Sequence, residues 1–121
     1  MRVIVSNQSE LPIYAQIREQ MKEQILDGSI PPGTVLPSIR QLAKETGVSV
    51  ITTTRAYSDL EQEGFIASVQ GKGSIVLPKD NKMMRENFLK KIEEHLESAV
   101  QLSKTAGISK EELKAIMEEL L

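Results

Sequence analysis

The chain is 121 residues long, 40% hydrophobic and 3% aromatic with no tryptophan, which allows one small domain with an aliphatic core and a helical appendage. It has no cysteine, which excludes disulfides, cysteine-based zinc sites and thiol catalysis, and no apolar run of about 18 residues, which excludes a membrane-spanning helix. The formal net charge is −2, and residues 1–80 hold eight Lys and Arg against nine Asp and Glu, so a nucleic-acid partner would require the cations to gather on one face. The opening MRVIVSNQSELP lacks the apolar segment of a secretory signal, and the lack of cysteine suits a reducing cytoplasm.

Residues 11–27 place Ile13, Ile17, Met21 and Ile25 four apart, with Tyr14 beside them, which predicts an amphipathic helix stopped by Gly28 and the Pro31-Pro32-Gly33 turn. Thr34-Val35-Leu36 reads as a short extended piece, since Leu36 precedes a proline. Ser38, with Gln41 three residues on, has capping-box spacing and opens a second helix whose apolar face is Ile39, Leu42 and Ala43. Gly47 ends it. Ser49 caps a third helix running to about Gly64, with Tyr57 and Leu60 facing inward. Only Gly47 and Val48 separate the two helices, and so short a link forces the sharp angle of a helix-turn-helix.

The third helix carries Ile51, Thr52, Thr53 and Thr54, a poor run by helix propensity. Either these hydroxyls face a ligand, or some of them bond back to the preceding turn. Phe65–Val69 and Ser74–Leu77 read as two strands joined by the turn Gln70-Gly71-Lys72-Gly73, and Pro78 marks the domain edge.

From Asn81 to about Ala106, Met84, Phe88, Ile92, Leu96 and Ala99 or Val100 stripe a long helix, which Gly107 breaks. Ser109 with Glu112 opens a last helix bearing Leu113, Ile116, Met117 and Leu120. Two helices cannot bury both stripes alone. They require a second copy of the chain, or they fold back on their own subunit.

Gly71 to Ser74 imitates the end of a phosphate-binding P-loop, but Gly73 stands where Ser or Thr belongs, Ile66 where the first glycine belongs, and strand-like residues follow. His95 is the only histidine, among Glu93, Glu94 and Glu97, and one imidazole is weak support for a metal site. No serine has a histidine base, so no catalytic constellation is present and neither metal nor cofactor is expected.

LPSIRQLAKETGVSVITTTRAYSDLEQEGFI followed by GKGSIV, with PIYAQI and GSIPPGTVLPS before it, resembles the winged helix-turn-helix domain of the GntR family of bacterial transcription regulators across roughly residues 10–78. The short two-helix tail is similar to that of the family's YtrA-type branch. The resemblance implies a mainly α fold with a small β-hairpin. A winged helix-turn-helix domain would occupy residues 1–78, and a two-helix dimerisation and effector-response region residues 79–121. Members of the branch are dimers through their C-terminal helices, and several control genes for ABC-type transporters.

Carried onto this chain, the family's DNA contacts fall on Arg40, on Ser49, Val50 and Thr52 at the start of the recognition helix, on Arg55, and on the wing tip Gly71, Lys72 and Gly73. Thr53 in the threonine run and the capping Ser38 complete the expected set. Val50 and Thr54 stand where many relatives are basic or polar, which leaves more of the readout to hydroxyls, methyl groups and Arg55. Phe88, Ile92, Leu96, Leu113, Ile116, Met117 and Leu120, together with Met84, are the expected dimer contacts. The implied function is a dimeric repressor on a pseudo-palindromic double-stranded operator, with a small-molecule effector left open and no membrane partner. Arg55 suits a phosphate or a guanine equally. The alternative is a winged-helix protein adaptor, which the acidic balance would suit.

Overall fold

Apolar residues at every fourth position make α1, Ile13–Leu26, the helix on which the first part of the molecule is built. The computed structural model describes residues 1–121 and divides into two units, Met1–Arg85 and Glu86–Leu121. In the first unit α1 is followed by α2 (Ile39–Thr46), α3 (Val50–Gln62), β1 (Ile66–Val69) and β2 (Gly73–Val76). Then α4 (Lys82–Ala106) opens in the first unit and continues into the second, which ends with α5 (Lys110–Leu120).

The core of the first unit is aliphatic, as the composition requires. Ile17, Met21, Ile25, Leu42, Leu60 and Val76 are all buried, with Phe65 and Tyr57 as its large rings. Each fully buried aliphatic side chain contributes about 1.5–3 kcal/mol over exposure. One flank of α1 is tied to α3 and the residue following it by Arg18–Asp59 and Lys22–Glu63, both at 2.9 Å.

The opposite flank carries a row that sequence patterning does not reveal. Gln16, Gln20 and Gln24 each use a side-chain amide as if it were a strand edge. Their Oε1 atoms accept from the backbone N–H of Ser6, Ile4 and Arg2 at 2.8–2.9 Å. Their Nε2 atoms donate to the carbonyls of those same residues at 2.6–2.9 Å. Four residues of helix advance about 6 Å and two of extended chain about 6.6 Å, so the two ladders stay in step for three rungs. The alternate residues Val3 and Val5 turn toward the core.

β1 and β2 pair antiparallel, Ile66 opposite Val76 and Val69 opposite Gly73, so the hairpin turn is Gln70–Lys72. The extended piece at Thr34–Leu36 adds to the outer edge of β2, through Leu36 N–H to Ser74 O and Val76 N–H to Thr34 O, both 2.9 Å. Phe65 belongs to the turn after α3 instead of a strand, its N–H donating to Leu60 O at 2.9 Å.

The first turn of α4 belongs to the core of the first unit, which corrects one expected dimer contact. Met84 is only 3% exposed and packs in the winged unit's core. Asn81 explains the docking: its Nδ2 donates to Gly64 O and Pro78 O, and its Oδ1 accepts from Met84 N–H. Gly64, at φ +85°, is required there, because a Cβ on it would lie 2.6 Å from Met84 N.

In the second unit α4 passes into α5 through a turn at Gly107, with Ile108 N–H returning to Ser103 O at 2.8 Å and Ser109 capping α5 through Glu112 N–H at 3.1 Å. Its apolar stripe is open: Phe88, Leu89, Ile92, Leu96 and Val100 are 40–51% exposed. A hollow of about 390 Å³ between the two helices is floored by Val100, Ile108, Leu113 and Met117.

Candidate nucleic-acid interface

Two serine caps and one left-handed glycine set the geometry of the helix pair. Ser38 Oγ accepts from Gln41 N–H, and Ser49 Oγ from Thr52 N–H, each at 3.1 Å. The first capping box is half closed, because the Gln41 side chain runs forward to Glu45 at 3.1 Å instead of back to Ser38. Gly47 ends α2 at φ +71°, and Val48 N–H closes the turn on Ala43 O at 3.0 Å. Tyr57 then locks α3 to the chain entering α2: its hydroxyl donates to Pro37 O at 2.6 Å. Burial, with the charge of Glu45 adding, pushes this phenol up to about 12.

α3 buries Thr53, Ala56, Tyr57 and Leu60. Its exposed residues are Val50, Ile51, Thr54, Arg55 and Ser58, one stripe at helical spacing, and Glu61 and Gln62 at its C-terminal end. Ile51 is 83% exposed and Val50 48%. This arrangement corrects the expectation for Thr53: it has no exposed surface, and its hydroxyl donates to Ser49 O at 3.0 Å, so it secures the helix start and cannot reach a base. Thr54 likewise turns its hydroxyl back to Val50 O at 2.7 Å, although the side chain stays exposed. Ser49 Oγ donates to Thr52 Oγ1 at 2.9 Å, so the serine spends its donor on the cap while Thr52 uses its oxygen as the acceptor. The duller reading of the threonine run therefore accounts for two of its three hydroxyls.

Ile51 was missed as a surface residue, although a signal existed. With Tyr57 and Leu60 inward, the helical wheel already turns Ile51, Arg55 and Ser58 outward.

Of the cationic candidates, Arg40 is exposed in the first turn of α2, and Lys72 is exposed on the wing between Gly71 and Gly73, both at positive φ. Arg55 is exposed too, but it does not hang free: its Cζ lies 3.6 Å from the centroid of the Tyr14 ring on α1. Arg18 approaches the same ring at 5.6 Å. Burial works against the Arg18 charge, but the hydrogen bond and charge of Asp59, helped by Glu19, outweigh it and raise the guanidinium above its usual range.

Residues 13–76, just over half of the chain, match the model of "Bacterial regulatory proteins, gntR family". The chain is 34% identical over 116 residues to the HTH-type transcriptional repressor YtrA of Bacillus subtilis (strain 168), covering 96% of this chain and 89% of that protein. Among solved structures, YtrA from Sulfolobus acidocaldarius, a GntR-family transcription factor, is 31% identical with a TM-score of 0.67, covering 99% of this chain and 95% of that one. AraR(DBD), solved in complex with operator ORX1, is 34% identical with a TM-score of 0.55 over 63% of this chain and 95% of its own. Helix-turn-helix, β-hairpin wing, two-helix tail and near full-length similarity agree, and the chain belongs to the gntR family of bacterial regulatory proteins, on its YtrA-like branch.

Proposed function

We propose that this chain is a cytoplasmic, sequence-specific repressor that binds double-stranded DNA as a homodimer on a pseudo-palindromic operator. The observation that carries the reading is the outward stripe of α3, Val50–Ile51–Thr54–Arg55–Ser58, which presents apolar, hydroxyl and cationic groups together within a family of regulators. The N-terminal half of α3 enters the major groove, where Ile51 and Val50 meet thymine methyl groups and Arg55 meets a phosphate or guanine. Arg40 and Ser38 at the start of α2 fix the docking on phosphates, and Lys72 on the glycine-flanked wing tip reaches the neighbouring backbone or minor groove. Ser49 and Thr52 act mainly by holding the helix start in shape.

Dimerisation falls to the second unit. Phe88, Ile92, Leu96, Leu113, Ile116, Met117 and Leu120 form apolar surface that a second copy would cover, and the division of labour is residues 1–78 for DNA and 79–121 for pairing, with Met84 moved to the first group. The regulated genes would be transporter genes, as in several members of the branch, and any small effector would act by changing the spacing of the two reading heads.

Fluorescence anisotropy of the purified chain against DNA from upstream of its own gene, with a scrambled duplex beside it, tests this reading. Tight binding lost on scrambling and weakened by added salt is the expected result. Equal weak binding to every duplex, followed by failure to enrich any sequence from a random library, would instead favour the protein adaptor.

A further inference from the structure

Arg55 is placed in an unusual way for a surface arginine. At 3.6 Å from the Tyr14 ring centroid its guanidinium has room only to lie face to face with the ring. Face-on stacking uses the π surface and leaves the in-plane N–H donors at the rim unspent. The nearest acid by helical spacing is Asp59, four residues on, and it is withdrawn: Arg18 holds it at 2.9 Å. The ion pairs of this unit run through Arg18 and Lys22, not through Arg55. α1 thus does two things for one residue of α3. Arg18 removes the competing carboxylate, and Tyr14 supplies the plane.

We propose that Tyr14 is a positioning residue for DNA binding, holding the Arg55 guanidinium flat so that its N–H edge meets a phosphate or guanine in a fixed orientation. The proposal rests on the DNA-binding reading above and adds to it a residue on α1, outside the helix-turn-helix. A long side chain that is already ordered loses less freedom on binding, so the plane raises affinity without adding a contact of its own.

The test is a double-mutant cycle on the full chain, read by anisotropy on the tightest duplex recovered from a random-sequence library, at two salt concentrations. Tyr14→Phe keeps the ring and stays within about twofold of wild type, while Tyr14→Leu weakens binding by about three- to tenfold. Arg55→Lys keeps the charge but has no plane, so it weakens binding by a similar factor with an unchanged salt slope. In an Arg55→Ala background, Tyr14→Leu adds less than about twofold, because its partner is gone. Arg55→Lys alters only an exposed side chain, so it carries the test even if Tyr14→Leu lowers the melting temperature. Wild-type binding by Arg55→Lys, or a Tyr14→Leu loss that persists undiminished beside Arg55→Ala, would make the stack a packing contact and overturn the proposal. Wild-type binding by Arg55→Ala would overturn it while leaving DNA recognition standing. A library that enriches no sequence would remove both.

Discussion

Thr53 and Ile51 stand two residues apart on α3 with the exposures their chemistry would normally reverse. The threonine is fully buried and satisfies its hydroxyl on Ser49 O, while the isoleucine is 83% exposed. In the major groove an exposed isoleucine has a natural counterpart in the thymine methyl group. Replacing operator thymines one at a time by deoxyuridine removes that methyl and nothing else. The wild-type chain should lose about threefold or more at one position or another, and Ile51→Ser should bind more weakly but be indifferent at that same position; a wild type blind to every replacement takes Ile51 out of the readout. Tyr57 gives a second test at this scale. Its phenol is held near 12 when folded against about 10 when unfolded, so its contribution is complete below pH 10 and declines as pH rises toward 12. Tyr57→Phe should cost about 1 kcal/mol at neutral pH, from the lost bond to Pro37 O, and should flatten the alkaline fall in melting temperature. An unchanged alkaline limb would mean that other groups govern it.

Among the elements, the glutamine ladder on α1 makes the firmest claim about stability. Gln16 is 7% exposed and serves three backbone groups, two on Ser6 and one on Leu11, whereas Gln24 works at the exposed end of the strap. Gln16→Leu should therefore cost about 1–2 kcal/mol and Gln24→Leu about 0.5 kcal/mol, in that order, as read by urea denaturation. Equal or negligible effects would show that the strap adds nothing to folding. The ladder also marks what was legible beforehand. Caps at Ser38, Ser49 and Ser109, the break at Gly47 and the inward Tyr57 and Leu60 depend on neighbours within a turn or two, and local pattern finds them. The strap of residues 2–6 and the pairing of Thr34–Leu36 with β2 depend on partners far along the chain, and glutamines four apart look like an ordinary wet face. Met84 was misassigned for a related reason. A four-residue apolar repeat runs through Met84, Phe88 and Ile92 without a break, and periodicity does not register that Asn81 ties the first turn of α4 into the core of the winged unit. At the candidate site, the motif located α3 and the wing, but not which threonines turn inward or that Arg55 leans on α1.

For the molecule as a whole, the open stripe of the second unit bears on how the first unit can be specific. One winged domain offers few base contacts, and two held at a fixed spacing multiply their affinities through effective concentration. Phe88, Leu89, Ile92, Leu96 and Val100 leave a strip of partly exposed apolar surface along α4, and strips of this kind mark association surfaces. Ile92→Glu combined with Leu96→Glu places two charges on the strip while leaving the winged core untouched. In sedimentation equilibrium the wild-type chain should run at twice its 13.5 kDa and the double variant at the monomer mass. On a two-half-site duplex the variant should bind about a hundredfold or more weaker, with its salt slope close to halved, yet match the wild-type chain on a single half-site. A monomeric variant that kept full affinity for the paired site would place specificity in one winged domain, and the strip would then need a different purpose. A variant still at twice the monomer mass would put the contact elsewhere, with Ile116, Met117 and Leu120 on α5 the next residues to charge.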